Sequence, residues 1–110
     1  MSYARQLKDP RWQKRRLELL EAAHWTCRYC GAKDQPLHVH HLAYHRQTLP
    51  WDYADALLVV LCEDCHLERQ EAEARLHGTL ALATRHVPGR RLDAFTRRLI
   101  PEAFSNLDPA

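Results

Sequence analysis

One hundred and ten residues, 45% of them hydrophobic and 27% charged, allow one globular domain with a modest core and exclude a disordered tail. The formal net charge of +2 is unevenly spread: residues 1–33 hold eight Lys/Arg against three Asp/Glu, 34–84 three against eight, and 85–110 five against three. Basic ends around an acidic, histidine-rich centre suit a polyanion held by the flanks with a cation between them, although such charges also serve as ordinary solvated helix faces.

No run approaches the ~18 apolar residues of a membrane span, and the N-terminal MSYARQLKDPRWQKRR lacks the apolar stretch of a signal peptide. The expectation is a cytoplasmic protein without membrane contact. Its four cysteines would then be reduced, and metal binding would prevail over disulfides.

In chain order, Asp9-Pro10 supplies an N-cap and a proline at the first helical position. Leu17, Leu20 and Ala23 recur at helical spacing, so a helix is expected over roughly 10–24. CRYCGAKDQP reads as a tight turn and polar loop, and LHVHH alternates apolar and polar side chains like a short strand. AYHRQTLPWDYAD reads as a loop and ALLVVLC as a buried strand. EDCHLERQEAEARLHG favours a helix, with Gly78 as its stop. Beyond Pro88-Gly89, Leu92, Phe95 and Leu99 mark a last helix that Pro101 ends or kinks.

Cys27-x-x-Cys30 and Cys62-x-x-Cys65 carry the strongest signal. A two-residue spacer lets one turn present two thiolates to the same ion, and two such pairs complete a tetrahedral zinc site. Four protein ligands leave no open position, so this zinc would be structural and would contribute to folding.

The segment between the pairs holds four histidines in nine residues, LHVHHLAYH. His40 and His41 end the first strand, and His66 follows the last cysteine at the start of a helix. A divalent ion could use His40 and His66 as ligands, while His41 could deprotonate a water near neutral pH. Such a cation polarises a phosphate and stabilises the leaving oxygen, which makes a workable centre for phosphodiester hydrolysis.

CRYCG, LHVHH and LVVLCEDCH, preceded by LKDPRWQKRRLELL, resemble the zinc-containing HNH endonucleases of the ββα-metal fold, small phage or bacterial type. The resemblance covers residues 7–77. It implies an α+β, treble-clef-like, zinc-stapled core with an N-terminal helix; chain length and the helical spacing beyond residue 88 add a basic helical extension over 78–110 within one domain, 1–110. It also implies His40 and His66 as ligands of a catalytic Mg2+, Mn2+ or Ni2+, His41 as the general base, and DNA as substrate, double-stranded and read with little sequence preference. Two positions depart from the family pattern. Leu57 stands where an Asn usually braces the loop carrying the base, with Asp55 as a possible substitute, and Gln70 stands where some members have a further histidine. The departures leave an alternative, a catalytically degenerate zinc module that binds nucleic acid or a protein partner.

Around that centre, Arg11, Lys14, Arg15 and Arg16 near the N-terminus and Arg90, Arg91, Arg97 and Arg98 near the C-terminus are candidate phosphate contacts. His38 shares a strand face with His40 and could assist substrate, but a solvated strand residue is the preferred reading. His45 has no assignment. Tyr44, Trp51 and Tyr53 could stack on bases, yet anchoring the loop to the core is preferred. Trp12 and Trp25 are expected to pack against the first helix.

Overall fold

Asp9 caps the main N-terminal helix, its side chain accepting a 2.8 Å hydrogen bond from the Arg11 backbone N–H, with Pro10 at the first helical position. A computed structural model of the protein describes residues 2–45 and 47–99. In chain order these form a short helix α1 (Tyr3–Gln6), α2 (Pro10–Ala22), β1 (Leu37–His41), two single 3₁₀ turns (Pro50–Asp52 and Asp55–Leu57), β2 (Leu58–Cys62), α3 (Glu63–Ala83) and α4 (Gly89–Leu99). The expected kink at Pro101 lies outside the described residues.

β1 and β2 pair antiparallel, with Leu37 opposite Cys62, His38 opposite Leu61, His40 opposite Val59 and His41 opposite Leu58. Leu20 of α2 packs with Leu37, Val60 and Leu61 of the hairpin and with Cys27 and Cys62. The core is therefore part apolar and part cysteine cluster. The result is a small α+β fold, a two-stranded sheet with helices and a cysteine cluster consistent with a zinc-binding ββα arrangement. By Cα proximity the chain divides into two compact units, Met1–His66 and Leu67–Ala110. The first holds the hairpin, the cysteines and the core. In the second, most of α3 and all of α4 bury no side chain, and Leu76, Leu80, Leu82, Phe95 and Leu99 are exposed.

Three local expectations change. α2 stops at Ala22, two residues early, because His24 and Trp25 both take the left-handed conformation (φ 55° and 53°) and the Trp25 N–H returns to the Leu20 carbonyl at 3.0 Å. Neither residue is a glycine, so this stop leaves no mark in the sequence. Trp25 consequently stands 49% exposed instead of packing, while Trp12 is buried as expected. Gly78 does not end its helix either: α3 runs through it to Ala83. A helical glycine costs only about 1 kcal/mol relative to alanine, and the good helix formers around it carry the turn.

Leu20 is fully buried, whereas Leu17, one turn earlier, is half exposed. Leu20→Ala is expected to destabilise the protein by about 2–5 kcal/mol and Leu17→Ala by less than about 0.5 kcal/mol, measured by equilibrium denaturation at fixed zinc concentration.

Candidate functional site

The Cys27–Cys30 turn is built by its backbone. The Gly31 N–H returns to the Cys27 carbonyl at 3.0 Å with Gly31 at φ 76°, a left-handed position that a side chain would strain. The Cys27 N–H reaches the Ala32 carbonyl, and the Arg28 N–H binds the Val60 carbonyl of β2, both at 2.9 Å. That last bond fastens the turn to the strand that ends in Cys62. Cys62 ends β2 and Cys65 lies in the first turn of α3, its N–H 3.5 Å from the Cys62 sulfur.

All four sulfurs lie within 4.8 Å of one another. A tetrahedral ion with Zn–S bonds of about 2.3 Å needs sulfurs about 3.8 Å apart, and Cys30 and Cys62 stand at 3.7 Å. The cluster therefore fits a metal ion such as zinc. Its protons are already unequally held. Burial pushes the Cys27 thiol up, but hydrogen bonds from the backbone at Cys30, Cys62 and Tyr29 outweigh it and bring Cys27 down to about 6. Cys65 is pushed up, first by its hydrogen bond with Cys62 and then by burial. A bound cation would favour the thiolate form of its ligands and displace the protons they hold.

The pleat of β1 separates the two adjacent histidines. His38 and His40 face α3: the His66 ring centre lies 5.0 Å from that of His40 and 5.2 Å from that of His38. His41 turns the other way, toward α2, and packs against Trp12 (5.1 Å), Tyr53 (5.0 Å) and Tyr44 (5.5 Å). His40 and His41 are only 2% and 3% exposed. Burial lowers the basicity of His41; the Pro50 carbonyl, 3.4 Å from Nε2, opposes this in part, and the neighbouring His40 adds to it. His41 is thereby favoured as the neutral imidazole, the form that can accept a proton.

The loop 42–57 is held without the missing asparagine. The Leu42 N–H binds the Leu57 carbonyl at 2.8 Å, and the Leu57 side chain is buried in the core. The Tyr53 hydroxyl accepts the His45 N–H at 2.8 Å, and the two rings stack 5.8 Å apart. Arg15 of α2 donates to the Tyr53 carbonyl at 3.1 Å and pairs with Asp55, so Asp55 does tie the loop down, through an arginine. The preferred anchoring role suits buried Tyr53, and Trp51 lies beneath the Arg11 guanidinium at 4.3 Å. Tyr44 is exposed, and its ring meets those of Tyr3 and His41.

The candidate phosphate contacts differ in their surroundings. Arg11 makes a bidentate pair with Asp9, Arg15 is turned into the fold, and Arg16 reaches the Leu37 carbonyl at 3.3 Å. Lys14 extends into solvent, 3.9 Å from Glu18. Arg90, Arg91, Arg97 and Arg98 are exposed on α4. The contact that the sequence undervalued is His38, half-buried against His66. Its signal was the period-two spacing with His40.

Residues 27–71, from the first cysteine into the third turn of α3, match the family model described as HNH endonuclease. The four-cysteine cluster and the histidines of β1 fall within that matched segment. No curated protein and no solved structure matches the chain. Among the described residues, no helix is long and apolar enough to cross a membrane.

Two substitutions probe these contacts. Cys62→Ser, which removes the sulfur shared by β2 and the α3 junction, is expected to lower zinc content from one ion per chain towards none and to abolish the thiolate-to-cobalt absorption of a Co2+-substituted sample. Tyr53→Phe, which deletes the hydroxyl that accepts from His45, is expected to cost about 1 kcal/mol and to speed amide exchange at His45.

Proposed function

We propose that the protein is a metal-dependent endonuclease that hydrolyses phosphodiester bonds of double-stranded DNA with little sequence preference. The cysteine cluster would hold a structural zinc, and His40 and His66 would hold a catalytic divalent ion. The observation that carries the reading is the juxtaposition of His40 with His66 across the strand–helix junction, inside the segment that matches the HNH endonuclease model. When bound, the catalytic cation would supply charge stabilisation to the phosphate and to the leaving oxygen.

The protein's own part is proton transfer and positioning. The Pro50 carbonyl orients the His41 ring through Nε2, leaving Nδ1 to take the proton of the attacking water. Of the three aromatic rings around His41, that of Tyr44 is the exposed one, and its movement would admit water and substrate. Arg15, Asp55 and Tyr53 hold the loop that carries Pro50, performing the bracing that Leu57 cannot. The exposed cations Lys14, Arg90, Arg91 and Arg98 would contact backbone phosphates, with Arg11, Arg16 and Arg97 contributing where they exchange their present partners.

Purified protein is expected to nick supercoiled plasmid with Mg2+, Mn2+ or Ni2+. His41→Ala should lower the rate by about 10²–10⁴-fold while leaving zinc content and DNA affinity unchanged. A second reading, a zinc module that binds nucleic acid or a protein without cleaving, is favoured by the apolar Leu57 and by Gln70. A wild-type preparation inert with every cation, yet retaining salt-sensitive DNA binding, would replace the first reading with the second.

A further inference from the structure

Two members of the histidine group facing α3 are absorbed by the proposed centre, and His38 is not. Its ring is tilted 34° to that of His66 with the centres 5.2 Å apart, almost the separation of His66 from His40. Its Nε2 is shut off from solvent and has no hydrogen-bond partner among the described residues. A buried imidazole nitrogen without a partner carries an uncompensated desolvation cost. That cost is difficult to explain for a residue free to point into water from a short strand.

Coordination would remove it. An imidazole nitrogen binds an ion at about 2.1 Å, and two rings sharing one ion have centres roughly 4.5–5.2 Å apart, between octahedral and tetrahedral angles. The two pairs that include His66 fall in that range. Among the described residues only the four cysteines bring three or more ligand atoms within 4.8 Å of one another, so the histidine rings must rotate towards one another to share an ion. The period-two strand makes the arrangement possible, because residues i and i+2 share a face and His66 opposes both. With Gln70 in place of a stronger ligand, nitrogen from β1 is the chemistry this chain has available.

We infer that His38 is a third ligand of the ion held by His40 and His66, so that the centre takes an imidazole-seeking first-row transition-metal ion in preference to Mg2+. The inference rests on the assignment of His40 and His66 as ligands. Three neutral nitrogens suit Zn2+, Ni2+ or Co2+, whereas Mg2+ prefers oxygen ligands and retains its waters.

The test uses the full chain with its cysteine cluster already loaded with zinc. Calorimetric titration with Ni2+ should give one further ion per chain, far tighter than Mg2+. His38→Phe, which keeps an aromatic ring against His66 but no ligand, should weaken Ni2+ tenfold or more, and His38→Asp should recover most of the loss. On addition of one further equivalent of Zn2+, the ¹⁵N resonance of a His38 ring nitrogen should move to a metal-bound position. If His38→Phe binds Ni2+ like wild type and the His38 resonances stay still, while His40→Ala and His66→Ala abolish binding, His38 is not a ligand and the two-histidine assignment survives. If His40→Ala and His66→Ala also leave Ni2+ affinity unchanged, or no further ion binds, both fall together.

Discussion

The constraint on which the rest of the structure depends is closure of the two cysteine pairs around one point. Cys27 and Cys30 come from a turn and Cys62 and Cys65 from a strand–helix junction, and the four sulfurs can converge only if that turn lies against the end of β2. Once they converge, the first turn of α3 is fixed at the end of the hairpin. His66, next to Cys65, is then set against the face of β1 that carries His38 and His40. A metal-ligand requirement at one place thus determines which side chains meet at another. The apolar core supports this closure but is small, and two of its buried members are cysteines. In a domain with so little apolar burial, ion binding at the sulfurs would become folding free energy.

The second determinant is the pleat. Adjacent histidines in a helix or loop would crowd one site. In a strand they point to opposite faces, which separates a residue facing α3 from one enclosed by Trp12, Tyr44 and Tyr53. The two environments push the chemistry apart. His40 lies among other imidazoles, as a ligand would, whereas His41 is buried with a carbonyl on one nitrogen and is held towards its neutral form. The loop that supplies the carbonyl is tied by a phenol, an arginine and a carboxylate in place of a single amide side chain. Losing one bracing residue type therefore need not loosen the loop, because backbone and side-chain hydrogen bonds from several elements can hold the same geometry.

How much of this was legible in the sequence follows from how local each signal is. The cap at Asp9-Pro10, the alternation of LHVHH and the paired cysteine spacing are short-range patterns, and the structure realises each of them. The left-handed His24 and Trp25 were not legible, because neither is a glycine and no local pattern marks them for that conformation. Gly78 misled for the opposite reason: a weak local penalty was overridden by its helical neighbours. His38 read as a solvated strand residue because strand pattern alone does not say what covers a face. Only the position of His66 shows that this face is occupied.

Charge teaches the same lesson about context. A count of basic residues near the N-terminus suggests an electrostatic surface, yet Arg11 holds Asp9 and lies over Trp51, Arg15 supports the loop, and Arg16 reaches a β1 carbonyl. Guanidinium groups suit such work because their planar fork of donors can serve a carboxylate and a carbonyl together, which an ammonium cannot do with the same geometry. Any of these arginines that binds phosphate must first give up an internal partner, so its contribution to affinity is the difference between two sets of hydrogen bonds. Lys14, extended into solvent beside an exposed Glu18, has far less to give up. The basic flank seen in the sequence is thus partly the scaffold of the site itself, and its charge cannot be counted twice.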